Sequence, residues 1–145
     1  MSFPTAAAIR QAIADTIVDA LPELEAHPTE SGAMSTPAVV VLTPDMDYNR
    51  AFSGRAPGKT TYRIHLYFSP SAPIDETANA IAVYTDPAGD ANTSIATAIS
   101  EDDTLGGVLS PQQSNLLSFR MFTAEEIAGN GYFGGEFLLD DGVGP

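Results

Sequence analysis

The side chains best able to do chemistry in this 145-residue chain are two histidines, clustered carboxylates and a few hydroxyls; cysteine is absent. His65 stands between Arg63 and Tyr67 in an alternating run. With no partner positioned nearby in sequence, it reads as a partly exposed strand histidine, and an isolated imidazole makes no general base. His27 lies in a Pro-rich stretch, also without a neighbouring partner. Phe52-Ser53-Gly54 lacks the first glycine of a nucleophile elbow. Neither a lysine-bearing phosphate loop nor a dinucleotide fingerprint occurs. Without cysteine there is no thiolate nucleophile, no disulfide and no thiolate metal ligand.

The carboxylates need a closer reading. Asp45-x-Asp47 and Glu101-Asp102-Asp103 are rich in oxygen ligands, and Asp86, Asp90 and Asn92 loosely match a calcium loop. A calcium loop of the EF-hand type needs glycine at its sixth position and a bidentate glutamate at its twelfth. Counted from Asp86, those positions hold Ala91 and Thr97. Turn closure and helix capping account for such Asp and Asn residues without a metal. The residues therefore name no catalytic group, no metal site and no cofactor.

The elements that would carry these side chains follow from periodicity. Ile9, Ile13, Ile17 and Leu21 recur at spacing four and predict a helix from about Thr5 to Leu21, with Pro4 at its entry and Pro22 at its end. Glu23 to Pro37 reads as a connecting loop. Ala38 to Leu42 reads as a buried strand. A flexible loop spans about 45–59, with Gly54, Pro57 and Gly58 inside it. Thr60 to Phe68 alternates, with Tyr62, Ile64, Leu66 and Phe68 on one face.

Two shorter helices are predicted next, one with Ile74, Ala78, Ile81 and Ala82 as its apolar stripe and one from about Thr93 to Glu101. Leu116 to Phe122 and Tyr132 to Leu139 read as strands joined through Ala128-Gly129-Asn130-Gly131, where Asn-Gly is a hairpin signal. Gly134 and Gly135 predict a bulge or a close backbone approach, and the tail 140–145 should fray. The order predicts one α+β domain over 1–145, a mostly antiparallel sheet with the N-terminal helix and two shorter helices packed on one face.

Charge narrows the functional classes. Nineteen acidic and six basic side chains give −13 and a pI near 4.1, a poor basis for gripping nucleic acid or an anionic membrane. No apolar run approaches the ~20 residues of a membrane span. The first residues lack a basic leader segment, so the chain is expected to fold in the cytoplasm where it is made. Residues 1–63 hold seven acids and five bases, a net of −2; residues 64–145 hold twelve acids and one base, Arg120, a net of −11. Arg50, Arg55, Lys59 and Arg63 fall within fourteen residues, around a loop that also carries Tyr48 and Phe52. Arginine with aromatics on one segment is the composition of contact hot spots. In an acidic molecule the natural partner is the acidic surface of another copy of the same chain, and a head-to-tail contact of that kind generates a ring when the rotation closes.

A colinear set of short stretches runs along most of the chain: the Ile9–Leu21 helix, Pro37-Ala38-Val39-Val40-Val41-Leu42, Asp45-Met46-Asp47-Tyr48, Tyr62-Arg63-Ile64-His65-Leu66-Tyr67 and Tyr84-x-Asp86-Pro87. It continues with Asp90-Ala91-Asn92-Thr93-Ser94-Ile95, Asp103-Thr104-Leu105-Gly106-Gly107, Ile127-Ala128-Gly129 and Tyr132-Phe133-Gly134-Gly135-Glu136-Phe137. In these the sequence resembles the tail terminator proteins of long-tailed (siphovirus-type) phages of actinobacteria. The resemblance implies a structural virion protein at the tail–neck junction: a hexameric ring that caps the tail tube, stops its polymerisation and joins tail to head. It implies neither enzyme activity nor a cofactor. The implied partners are further copies of the chain, the tail tube protein and the connector or neck proteins, with DNA passing through unheld and no membrane involved. On that reading Tyr48, Arg50, Phe52, Arg55 and Lys59 form a subunit or tube contact, and Glu101, Asp102, Asp103, Glu125 and Glu126 face an acidic lumen or one ring end. Such a lumen lowers the affinity for passing DNA. Alternatives are a head–tail connector or head-completion protein and, more distantly, a small acidic ligand-binding domain.

Overall fold

A computed structural model describes residues 4–30, 35–47, 59–69, 73–110, 114–127 and 130–140, with the backbone alone at 47, 59, 122–127 and 130–132. Helix α1 (Ala6–Ala20) starts where the Thr5 hydroxyl accepts from the Ala8 amide at 3.2 Å. That bond satisfies one of the orphan donors of the first turn. Ile9, Ile13 and Ile17 are buried as their spacing predicts, and Leu21 closes the helix with its amide on the Ile17 carbonyl. Each fully buried isoleucine is worth about 1.5–3 kcal/mol relative to exposure.

The strands are β1 (Glu25–His27), β2 (Ala38–Val41), β3 (Asp45–Asp47), β4 (Lys59–Phe68), β5 (Asn115–Ile127) and β6 (Asn130–Asp140). They form one sheet in the order β1-β2-β4-β6-β5, and β3 also pairs with β4. Among the described strand pairs only β1–β2 is parallel. Helices α2 (Ile74–Tyr84) and α3 (Ile95–Glu101) lie between β4 and β5 in the chain. The α+β expectation holds, with the helices contributing to one core cluster that includes Ile13, Ile17, Val39, Ile64, Leu66, Ile81, Ile95, Ile99 and Phe137.

Several boundaries differ from those predicted. Glu25–His27, expected as loop, adds a parallel strand beside β2, with Glu25 opposite Ala38. Both ends of the expected 45–59 loop are paired strand, Asp45 opposite Thr61 and Asp47 opposite Lys59. The connecting residues 48–58 lie outside the described residues. Helix α2 turns a different stripe inward: Thr77 and Ile81 are buried and Tyr84 packs on the core. Ile74 is 72% exposed, and Ala78 and Ala82 face outward too. Helix α3 starts at Ile95, two residues later than predicted, because Ser94 caps it from an extended conformation and accepts from the Thr97 amide.

The β5–β6 hairpin is longer than expected. Ile127 pairs with Asn130, so Asn130-Gly131 belongs to the ladder and does not form the connection. Asp140, expected to fray, is paired with Thr61 and Asn115; 141–145 lie outside the described residues. The irregular register falls in β5, between Leu116 and Ser118 and between Phe122 and Glu125. Gly134 and Gly135 mark close approaches. A Cβ on Gly134 would strike the Leu66 carbonyl, and one on Gly135 would strike the Phe119 ring.

Candidate assembly surface

The pleat divides the sheet's side chains cleanly. Tyr62, Ile64 and Leu66 of β4 face the helices, while Arg63, His65 and Tyr67 face away. The outward face is not uniformly wet: Ala38, Val40, His65 and Tyr67 are all buried. This overturns the expectation of a partly exposed histidine. His65 is 5% exposed and has two positioned partners. Its Nδ1 lies 2.8 Å from the Tyr67 hydroxyl and its Nε2 lies 2.9 Å from Glu136 Oε2. An ionised carboxylate only accepts, so Nε2 carries the proton and donates to Glu136. In the neutral ring Nδ1 then accepts from the Tyr67 O–H. The register places Glu136 directly opposite His65 across β4–β6.

One strand further out, Arg120 of β5 is opposite Glu136. Ser118, Phe119, Arg120, Glu136 and Leu138 line a cavity of about 280 Å³ there. Strand β5 ends the sheet, with β6 its one neighbour among the described strands. Its border is partly apolar: Leu117 is 48% and Met121 58% exposed. An apolar groove of about 200 Å³ runs beside it, lined by Pro87, Ala96, Leu116, Leu117, Phe119 and Phe137 among others. A bare strand edge beside apolar side chains is a template for pairing with another chain.

The opposite border carries β1 and β3. Arg63 grips Asp45 there, at 2.8 Å and 3.0 Å from its guanidinium nitrogens. Met46 is 43% exposed. Behind this border Glu30 ties three segments together. It accepts from the Thr43 amide at 2.9 Å, from the Thr43 hydroxyl at 2.7 Å and from Arg10 of α1, which also donates to the Val41 carbonyl at 2.8 Å. Partial burial opposes the Glu30 charge, but the Thr43 bonds, its own amide and Arg10 outweigh it and hold the carboxyl at about 2.

The residues expected at a contact or lumen are dispersed. Tyr48, Arg50, Phe52 and Arg55 lie outside the described residues; Lys59 opens β4 opposite Asp47. Glu101 is exposed at the end of α3, with Asp102 and Asp103 half-buried in the turn after it. Asp102 caps the Gly106 amide at 3.0 Å, and the Asp103 carbonyl accepts from Ser114 at 2.6 Å. Glu125 and Glu126 lie in β5 near the hairpin end, opposite Tyr132 and Gly131.

Asp86 does turn chemistry: its carboxylate accepts from the Ala88 amide at 2.9 Å and its carbonyl accepts from Ser94 at 2.7 Å. Among the described residues no three His, Asp or Glu side chains gather as a metal set. Likewise, no described helix is long and apolar enough to cross a membrane. No protein-family model matches the chain, and no curated protein matches it.

Proposed function

We propose that this chain is a structural subunit that assembles with copies of itself into a ring at the tail–neck junction of a long-tailed phage, of the tail-terminator type. The observation that carries the reading is the border strand β5: thirteen residues long, at the end of the sheet, with Leu117 and Met121 about half exposed. Exposed apolar side chains on a sheet edge mark an association surface more than a catalytic one. The surface charge supports the same reading. Asp75, Glu76, Asp86, Asp90 and Glu101 are all exposed, so a ring of such subunits offers passing DNA a repelling wall. The test adds the purified chain to polymerising tail tube protein from the same genome. The expected outcome is short, capped tubes; an unchanged length distribution across a wide range of ratios would refute the role.

A second reading, a small acidic ligand-binding domain, is favoured by the cavity where Glu136, steadied by His65, faces Arg120 across strands. Such a cavity suits a small zwitterion. Thermal-shift screening against zwitterionic metabolites separates the two, because the ring reading expects no stabilisation there.

A further inference from the structure

A buried pair with no part in the assembly reading stands behind one carboxylate of the outward sheet face. His65 and Tyr67 are both buried, with the Tyr67 hydroxyl 2.8 Å from Nδ1, and His65 Nε2 donates to Glu136 Oε2 at 2.9 Å. The Glu136 side chain is itself largely buried, and its Oε1 has no hydrogen bond among the described residues. Polar groups taken out of water are costly unless satisfied, and a side chain held from behind in one position is what a binding site requires. Arg120, opposite Glu136 on the same face, is exposed and makes no ion pair among the described residues. Strand β5 is irregular just before Ser118 and again after Phe122. Such irregularities bend a strand and re-aim its side chains. The cavity of about 280 Å³ lies against the regular stretch between them, lined by Ser118, Phe119 and Arg120 with Glu136 and Leu138 of β6.

From this we infer that the cavity seats a small α-amino acid with an apolar side chain, its carboxylate on Arg120 and its ammonium on Glu136 Oε1. The inference rests on the ligand-binding reading above and names its ligand class. One cation and one anion line the cavity, so a ligand carrying a single charge leaves the other group unanswered. Arginine only donates and an ionised glutamate only accepts, which fixes the end of the ligand that each one takes. His65 occupies Oε2, so the ammonium takes Oε1. Residues directly opposite in an antiparallel pair have Cβ atoms about 4.5–5.5 Å apart. The ligand must therefore carry its two charges close together, as on one α-carbon, and not at the ends of a long chain. Leu138 and Phe119 supply apolar wall and no further charged group lines the cavity, which selects an apolar side chain.

The test titrates the full chain by calorimetry at pH 7 with four probes. Leucine carries both charges on one carbon; leucinamide lacks the carboxylate, 4-methylpentanoate lacks the ammonium, and 6-aminohexanoate separates the two. Leucine should bind at least about ten-fold more tightly than each of the others. Arg120→Gln should abolish the preference over leucinamide, and Glu136→Gln the preference over 4-methylpentanoate. Arg120 is exposed, so its variant carries the test if Glu136→Gln fails to fold. Leucine binding no tighter than 6-aminohexanoate, or a preference over leucinamide that survives Arg120→Gln, would overturn the inference and leave a ligand-binding domain standing. No binding by any of the four, with another zwitterion stabilising the chain in the thermal-shift screen, would do the same. No binding by any of the four and no stabilisation by any zwitterion would defeat the ligand-binding reading as well.

Discussion

Replacing His65 discriminates sharply between an exposed and a buried imidazole. An exposed strand histidine changed to alanine shifts stability by no more than about 0.5 kcal/mol. At 5% exposure the change instead empties a site in the sheet face and removes one hydrogen-bond partner each from Tyr67 and Glu136. The cavity contribution and the lost bonds together come to about 2–4 kcal/mol. Tyr67 is buried at 1%, and Tyr67→Phe keeps the ring while removing the hydroxyl from Nδ1. Losing that one bond costs about 1–2 kcal/mol. At this chain length each kcal/mol moves the melting temperature by roughly 3–4 °C, so His65→Ala should fall by about 6–16 °C and Tyr67→Phe by about 3–8 °C. Urea unfolding at pH 7 gives the free energies, with an unchanged m-value confirming that two comparable states are measured. Combining Tyr67→Phe with His65→Leu should cost less than the sum of the singles by about 1 kcal/mol, because the pair leaves no orphan between its members. His65→Ala and Tyr67→Phe both within 0.5 kcal/mol of the parent would refute the buried array.

Acid titration should reveal Glu30. Its carboxyl sits at about 2 in the folded state against an ordinary 4.5, so its contribution is full above about pH 4.5 and fades as pH falls towards 2. With the side chain 52% exposed, solvent screening limits it to about 1 kcal/mol. Glu30→Gln should therefore narrow its stability gap to the parent between pH 5 and pH 2 (roughly the window between the two values), and a pH-independent gap would argue against the assignment. Gly134→Ala should destabilise more than Gly135→Ala, because a Cβ on Gly134 would meet the Leu66 carbonyl at 1.7 Å, whereas on Gly135 it would meet the Phe119 ring at 2.1 Å and backbone, the Arg120 carbonyl, only at 2.9 Å; overpacking of this kind costs about 1–3 kcal/mol. Equal melting temperatures for the two variants would contradict the packing. Changing Arg50, Arg55 and Lys59 together to alanine should weaken ring assembly or tail joining, and unchanged assembly by light scattering would mark the segment as ordinary solvated surface.

What sequence could predict divides along a physical line. Strand β4 was legible because Tyr62, Ile64, Leu66 and Phe68 alternate, and α1 because Ile9, Ile13 and Ile17 share one face. Both patterns are local, and burial on one face produces them. Helix α2 was legible as a helix but not in its rotation. Ile74-Ala78-Ala82 and Thr77-Ile81-Tyr84 both have helical spacing, and only its seat at the core's margin selects the second. Strand β1, three residues between Pro22 and Pro28, is too short to show a period and exists because β2 offers it a ladder.

The proposed assembly surface was the least accessible. Arg120 and Met121 are unremarkable neighbours until β5 is known to end the sheet, and His65 gains Glu136 only through pairing across 71 residues.

The most direct test of the ring is the absolute mass of the purified chain, measured by light scattering alone and with its tail tube protein. The account predicts a closed species at a fixed small multiple of 15.2 kDa, six-fold for the expected hexamer, in at least the second condition. A mass of one chain in both conditions, at concentrations well above those that saturate the tube, would contradict it.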